Sequence, residues 1–259
     1  MDLKQLSIDI DTYLRTDTFP LAIRTAKAGE EIPPKMKSPA LDFGKRITIC
    51  QGISIARRYG WGIKMGREDI SCPIARACFG FEKRIDYYDE GNLCVGLYTD
   101  NMQAVKVFES ALCKFEFSEF EAIYAAPLGR ANFEPEVILI YGNSAQVMRL
   151  LNGRLYSEGG ELTSSFSGRA DCTDIVIKTI KTNECQVILP CYGDRVFGLT
   201  QDYEMAFTIP YSKVEMVLNG VKNTHKGGTR YPIPHYLRFE PEFPENYNVL
   251  DEMWKKETK

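Results

Sequence analysis

The sequence predicts an α+β, mixed α/β fold of two pseudo-equivalent halves, with mixed sheets and flanking helices. Three observations point there. Helical and strand-like patterns alternate without long, regular βαβ units. The stretch Phe120-Glu-Ala-Ile-Tyr-Ala-Ala-Pro127 is echoed by Tyr203-Glu-Met-Ala-Phe-Thr-Ile-Pro210, each an aromatic, a Glu, an apolar run and a Pro. Upstream, Cys50-Gln51 and Ala145-Gln146 each open an apolar run, and Cys72 and Cys172 follow in turn. An internal duplication of this kind divides the chain into residues 1–130, residues 131–222 and a C-terminal tail, 223–259. The seam between the halves is then the place to look for a site.

The elements follow from periodicity and punctuation. Residues 2–16 read as a helix with Leu3, Leu6, Ile10 and Leu14 on one side. Phe19–Arg24 reads as a strand, and a Gly/Pro/Lys loop runs to Pro39. Residues 45–59 read as a helix stopped by Gly60, with Ile49, Cys50, Ile53 and Ala56 at three-to-four spacing. Trp61–Met65 reads as a short strand. Asp69 or Ser71 then caps a helix with Pro73 in its first turn, where a missing N–H costs nothing, and it ends near Gly80. Leu93–Tyr98 reads as a strand and residues 101–114 as an amphipathic helix. Ala122–Ala126 and Val137–Tyr141 are further strands.

In the second half, Asn143-Ser-Ala-Gln146 resembles a capping box, and Gly153 is expected to stop the helix it starts. Asp171–Ile180 reads as another helix. Gln186–Leu189 and Met205–Ile209 read as strands. Ser212-Lys-Val-Glu215 has the S-x-x-E pattern of a capping box before Val217 and Leu218. Beyond residue 222 the composition turns to Gly, Pro and basic residues, and the rest reads as a tail with a short terminal helix.

With 44% hydrophobic and 26% charged residues, the chain can bury a sizeable core. A net charge of -3 offers no basic stripe for nucleic acid. The pairs Arg57-Arg58 and Lys255-Lys256 read as solvated faces. The N-terminus lacks the pattern of a signal peptide, and no apolar run is long enough to span a bilayer. The expectation is a cytoplasmic protein with neither nucleic-acid nor membrane partners. Its eight cysteines form no C-x-x-C pair, so the common zinc and thioredoxin-type signatures are absent.

The segments Phe19-Pro-Leu-Ala-Ile, Cys50-Gln51, Asp69-Ile-Ser-Cys72 with Gly80, Tyr141-Gly-Asn-Ser-Ala-Gln146 and Pro190-Cys191-Tyr-Gly193-Asp194-Arg195 carry a resemblance. Over residues 5–220 the chain resembles the prokaryotic family called domain of unknown function 169. The resemblance implies a prokaryotic, anaerobic, cytosolic setting. It implies no activity and no catalytic residues.

Chemistry is sought first at the cysteines. Cys72 and Cys172 each stand at the start of an expected helix, where the helix dipole lowers a thiol's pKa. Asp69 and Asp171 nearby push the other way. The plain alternative is a small buried hydrophobe. Cys191 opens a Gly-containing turn after an apolar strand, and Arg195 there could clamp a carboxylate or phosphate. Its plain alternative is a tight turn in which Asp194 pairs with Arg195. Cys72, Cys172 and Cys191, with Cys50 or Cys78, are candidate soft ligands for an iron–sulfur cluster or another cysteine-ligated metal. Their wide spacing argues against it, and Cys78, Cys94, Cys113 and Cys185 read as core. His225 and His235 lie in the polar C-terminal stretch, so a histidine site is not expected. Glu121 and Glu204 head equivalent strands and read as solvent-facing or Arg-paired. Neither Gly159-Gly160 nor Gly227-Gly228 has a nucleotide-binding pattern.

The leading expectation is a small-molecule- or cofactor-binding protein whose pocket is lined by Cys72, Cys172, Cys191 and Arg195. One alternative is a thiol-dependent enzyme on an anionic substrate, with Cys191 or Cys72 as nucleophile. The other is a non-catalytic interaction protein, such as a homodimer, whose cysteines are structural.

Overall fold

The computed structural model describes residues 2–233 and 242–257. His235 therefore lies outside the described residues. Among the described residues, seven strands form one sheet: β1 (Leu21–Ala26), β2 (Met36–Lys37), β3 (Gly62–Gly66), β4 (Ala122–Pro127), β5 (Val137–Gly142), β6 (Gln186–Ile188) and β7 (Met205–Pro210). Their order is β2-β3-β4-β1-β5-β7-β6. Only the two-residue β2 pairs in parallel, with β3; every other pair is antiparallel. The fold is thus mixed α/β as expected, but with one continuous sheet in place of several. Its edge strands are the two shortest, which leaves little unpaired backbone to template association.

Helices cover both faces. Along β1, Leu21 and Ile23 face one core and Ala22 and Ala26 the other, as the two-residue side-chain period of a strand requires. The first core is closed by α3 (Ile49–Tyr59), α4 (Pro73–Cys78) and a π-helical segment, Thr173–Lys178. The second is closed by α1 (Leu3–Leu14), α7 (Ser144–Leu155) and α10 (Val214–Lys226). Burying both faces explains why β4 and β5 read as unbroken apolar runs. Each fully buried Leu or Ile stabilises by about 1.5–3 kcal/mol relative to exposure. The remaining helices are α2 (Pro39–Asp42), α5 (Asp86–Asp89), α6 (Met102–Ser110), α8 (Thr179–Thr182), α9 (Tyr192–Phe197) and α11 (Glu245–Glu257).

Helix starts follow local chemistry. Thr48 caps α3 and Asn143 caps α7, each in a capping box closed by Gln51 or Gln146. Gly60, left-handed at φ 75°, ends α3.

Four local readings are corrected. Leu93–Tyr98 is a turn, because Gly91 and Gly96 sit at φ 84° and 75° and curl the chain before it can extend. Gly153 does not stop α7, which continues to Leu155. It is the point of close approach to α10, where a Cβ would lie 2.5 Å from Val221 Cγ2. The Ser212 hydroxyl donates to Asn183 Oδ1 and caps nothing; a 3-10 turn, Tyr211–Lys213, leads into α10. Arg57 is not solvated: it is 1% exposed and ion-paired to Glu204.

Candidate functional site

Four cysteines line one cavity on the α3/α4 side of the sheet. Thr48 and Gln51 fix the first turn of α3, which carries Cys50. Cys172 stands just before the π-helical segment. Cys72 immediately precedes α4, held there by the fixed φ of Pro73. Cys191 follows Pro190 at the end of β6 and immediately precedes α9. Cys50 and Cys172 are buried, while Cys72 and Cys191 are half-buried. The cavity holds about 160 Å³, comparable to engineered core cavities that accept a benzene-sized molecule. Its remaining wall is mostly apolar, with Ile49, Ile74, Tyr98 and Phe197 among the lining residues.

Cys191 has the most distinctive surroundings. Its backbone N–H donates to Asp171 Oδ2 at 3.1 Å, and its Sγ lies 3.1 Å from Asp171 Oδ1. Cys50 is the other hydrogen-bonding neighbour that acts on the Cys191 thiol. Asp171 is 2% exposed, and burial, with Asp194 nearby, pushes its carboxyl well above the usual range. A neutral carboxyl suits the geometry, since its carbonyl oxygen accepts the amide while its O–H faces the sulfur. The hydrogen bond with Cys50, then those involving Asp171, pull the Cys191 thiol down to about 5 against the cost of burial. Cys50 is raised by the same hydrogen bond and by burial. Cys172 is raised by burial and by Asp171. Among these, the negative charge settles on Cys191.

A buried polar chain anchors α9, whose Tyr192, Gly193 and Phe197 line the cavity. The Tyr141 hydroxyl donates to Asp194 Oδ2 at 2.9 Å, and the Arg57 guanidinium lies 4.0 Å above the Tyr141 ring. Arg57 donates to Glu204 and to Thr200 Oγ1. Gly198 is required here, because a side chain would strike Asp194 Oδ1.

The structure brings together three of the four residues named from sequence, Cys72, Cys172 and Cys191. Arg195 is elsewhere, donating to Gln201 O at 2.9 Å with Asp202 at 3.7 Å. The arginine of the lining is Arg169, which the sequence did not single out. It pairs with buried Glu109, packs 4.7 Å from the Phe108 ring centre and meets Cys94 Sγ at 2.5 Å. Its charge is thus already matched. Among the described residues, no three His, Cys, Asp or Glu side chains are grouped so as to hold a metal ion. A wider groove of about 740 Å³ runs along α1 and α10, but its ion pair, Lys222 with Asp9, keeps Lys222 partly in solvent.

Comparison with known proteins adds a family. The profile of domain of unknown function 169, described as an uncharacterised ArCR, matches residues 9–220. The chain belongs to the DUF169 family. A relative of this DUF169 chain is the uncharacterized protein MJ0308 of Methanocaldococcus jannaschii, 27% identical over 207 residues, covering 78% of this chain and 86% of the relative. No solved structure matches. Cys50, Cys72, Cys172 and Cys191 all fall within the DUF169 match. Among the described residues, no helix is long and apolar enough to cross a membrane.

Proposed function

We propose that this protein binds a small molecule or organic cofactor in the cysteine-lined cavity, at the seam of two related halves, with Cys191 as its reactive thiolate. The observation that carries the reading is the contact of Cys191 with both oxygens of Asp171. Low-pKa, partly exposed cysteines are the reactive ones, whereas structural thiols are buried and inert. All eight cysteines are free thiols, which fits a cytoplasmic setting.

Strand register supports the duplication. In the central pair, Leu21 lies opposite Leu139 and Ile23 opposite Val137, which makes Leu21 and Val137 equivalent about a local twofold. Leu21's partner on the other side is Pro127, and Val137's is Pro210. These are the prolines that end the repeated motif. The next hydrogen bonds match too: Leu128 N–H donates to Pro20 O at 2.7 Å and Tyr211 N–H to Glu136 O at 2.8 Å. Under this reading Cys50, not Cys72 as matched in the sequence, corresponds to Cys172, each opening the helical segment before an outer strand. Cys72 corresponds to Cys191, each preceding the helix after that strand. The halves are then residues 1–130 and 131–222. The copies differ where chemistry needs them to: Asp171 precedes Cys172, whereas Ile49 precedes Cys50.

A thiol-dependent enzyme is the second reading, favoured by the same thiolate. Its substrate is then uncharged rather than anionic, because Glu109 neutralises Arg169 and Arg195 lies outside the lining. The test of both readings is alkylation with iodoacetamide at pH 6, followed by peptide mapping. Cys191 should react well ahead of the other seven cysteines. Uniformly slow labelling would leave only a structural role for these sulfurs.

A further inference from the structure

We propose that Cys191 and Cys50 form a redox couple across the seam, with a small uncharged disulfide as oxidising substrate and Cys50 as the resolving thiol. The proposal rests on the reading of Cys191 as the reactive thiolate and gives that site a substrate class and a reaction. The two sulfurs line the same cavity from different elements, Cys50 from the first turn of α3 and Cys191 from the residue before α9. Those elements are fastened to each other. Ser54 of α3 donates to Gly198 O at 2.7 Å, and side-chain-free Gly198 lets the Cys50 carbonyl approach the end of α9. Hydrogen bonding with Cys50 is the largest influence on the Cys191 thiol. An uncharged substrate suits a wall whose Arg169 is matched by Glu109.

The reaction balances with groups on hand. The Cys191 thiolate attacks one sulfur of the substrate RSSR. The S–S bond breaks, a Cys191–SR mixed disulfide forms, and the leaving thiolate takes the proton of Asp171 as RSH. The Asp171 carboxylate then accepts the Cys50 proton. The Cys50 sulfur attacks Cys191 Sγ, closes the Cys50–Cys191 disulfide and expels the second thiolate, which Asp171 reprotonates. Two thiols are oxidised and one disulfide is reduced to two RSH, with Asp171 left ionised. Such exchange proceeds through a mixed disulfide, at a rate set by the attacking thiolate and by access. Asp171 is placed to serve both halves, since its oxygens hold the Cys191 N–H and face the Cys191 sulfur.

The experiment is titration of fully reduced, full-length protein, without oxygen, with bis(2-hydroxyethyl) disulfide. Acid-quenched samples are mapped by non-reducing mass spectrometry. The expected product is protein lighter by two hydrogens, with the peptides of Cys50 and Cys191 linked. In Cys50→Ser, a hydroxyethylthio adduct should persist on Cys191 at about tenfold or more the wild-type level, because resolution is lost. Cys113→Ser, half-buried and outside the cavity, should behave as wild type. Linkage of Cys191 to Cys72 or Cys172, or a stable adduct on wild-type Cys191, would overturn the proposal. Rapid iodoacetamide labelling of Cys191 without disulfide formation rejects the couple alone. Slow labelling of Cys191 rejects the thiolate reading as well.

Discussion

Arg57 and Glu204 form a buried, two-pronged ion pair: Nη1 donates to Oε1 at 2.5 Å and Nη2 to Oε2 at 3.1 Å. The pair ties the last turn of α3 to the residue before β7. Because the same guanidinium covers the Tyr141 ring, it also braces the hydroxyl that holds Asp194. The helix α9, whose Tyr192, Gly193 and Phe197 line the cavity, is therefore held by a pair that lies outside the lining.

Breaking this pair from one side should be costly. Arg57→Met leaves the Glu204 carboxylate with the Gln201 N–H and, as a charged partner, the partly exposed Arg58, whose Nη2 is 3.2 Å from Oε2. Removing one partner of a buried pair typically costs about 3–5 kcal/mol. Urea unfolding should show that loss for Arg57→Met. Arg58→Ala should lose under about 1 kcal/mol, as expected of an exposed pairing. Equal effects would mean that Arg57 is not the main partner of Glu204.

The sequence misread this arginine for a physical reason. Arg57-Arg58 ends a helix, where cations are favoured anyway, and the carboxylate that buries Arg57 is 147 residues away. Pairings at that distance leave no local trace. Elements with strong local grammar were legible: the capping boxes at Thr48 and Asn143, the Gly60 stop and the apolar strands β4 and β5. So were three of the cavity's cysteines, because helix starts and strand ends can be read locally. Asp171 was read only as a neighbour of Cys172. Its contact with Cys191 depends on how β6 returns along the sheet. Arg169 and Glu109 meet across a loop and a helix and carried no pattern at all. Ser212-Lys-Val-Glu215 shows the opposite failure, a correct local signature diverted because Asn183 offers the hydroxyl a tertiary partner.

Thiol reactivity should titrate near pH 5 at one position. A plot of Cys191 alkylation against pH should reach half its plateau there, since only the thiolate attacks. Cys50→Ala removes the largest cause of the depression, so the midpoint should move upward. At a pH below the new midpoint, the thiolate fraction falls about tenfold for each pH unit by which that midpoint has risen. At pH 6 the variant should therefore label more slowly than wild type. An unchanged profile would show that Cys50 does not hold the thiolate.

Stability should respond to pH in opposite directions at Cys191 and Asp171. Cys191 is depressed from 9.0 to about 5 on folding, so between these values the unfolded chain binds the extra proton. Stability from Cys191 is then present at high pH and lost as pH falls through about 5. Asp171 is raised above 3.8, so its contribution is present at low pH and lost as pH rises through its folded value. The two oppose each other in the intact protein. Cys191→Ser removes the first and keeps the second, because burial and Asp194 still act on Asp171. The stability of the variant should fall with rising pH above pH 5, relative to wild type, by up to about 1.4 kcal/mol per pH unit. Urea midpoints measured from pH 5 to 8 check the sign. A variant whose stability rises with pH relative to wild type would show that Cys191 is not ionised in the native state.

The contact between α7 and α10 should tolerate no methyl group at its centre. A Cβ on Gly153 would sit 2.5 Å from Val221 Cγ2 and 2.7 Å from the Val217 carbonyl, and one on Gly220 would strike the Gly153 carbonyl. Backbone cannot step aside as a long side chain can, so the helices would have to separate. Overpacking of this kind costs about 1–3 kcal/mol, against a gain of about 1 kcal/mol from replacing a helical glycine by alanine. Gly153→Ala and Gly220→Ala should therefore both destabilise, and the double variant should cost less than the sum because a single separation relieves both clashes. Gly227→Ala is the control at the end of α10. Its backbone has φ -72° and its Cβ would meet carbonyls at an ordinary 3.5 Å. That substitution should be neutral or stabilising by about 0.4–1 kcal/mol. Urea denaturation of the four variants measures the difference. Stabilisation by Gly153→Ala would mean that the helices do not meet at this glycine.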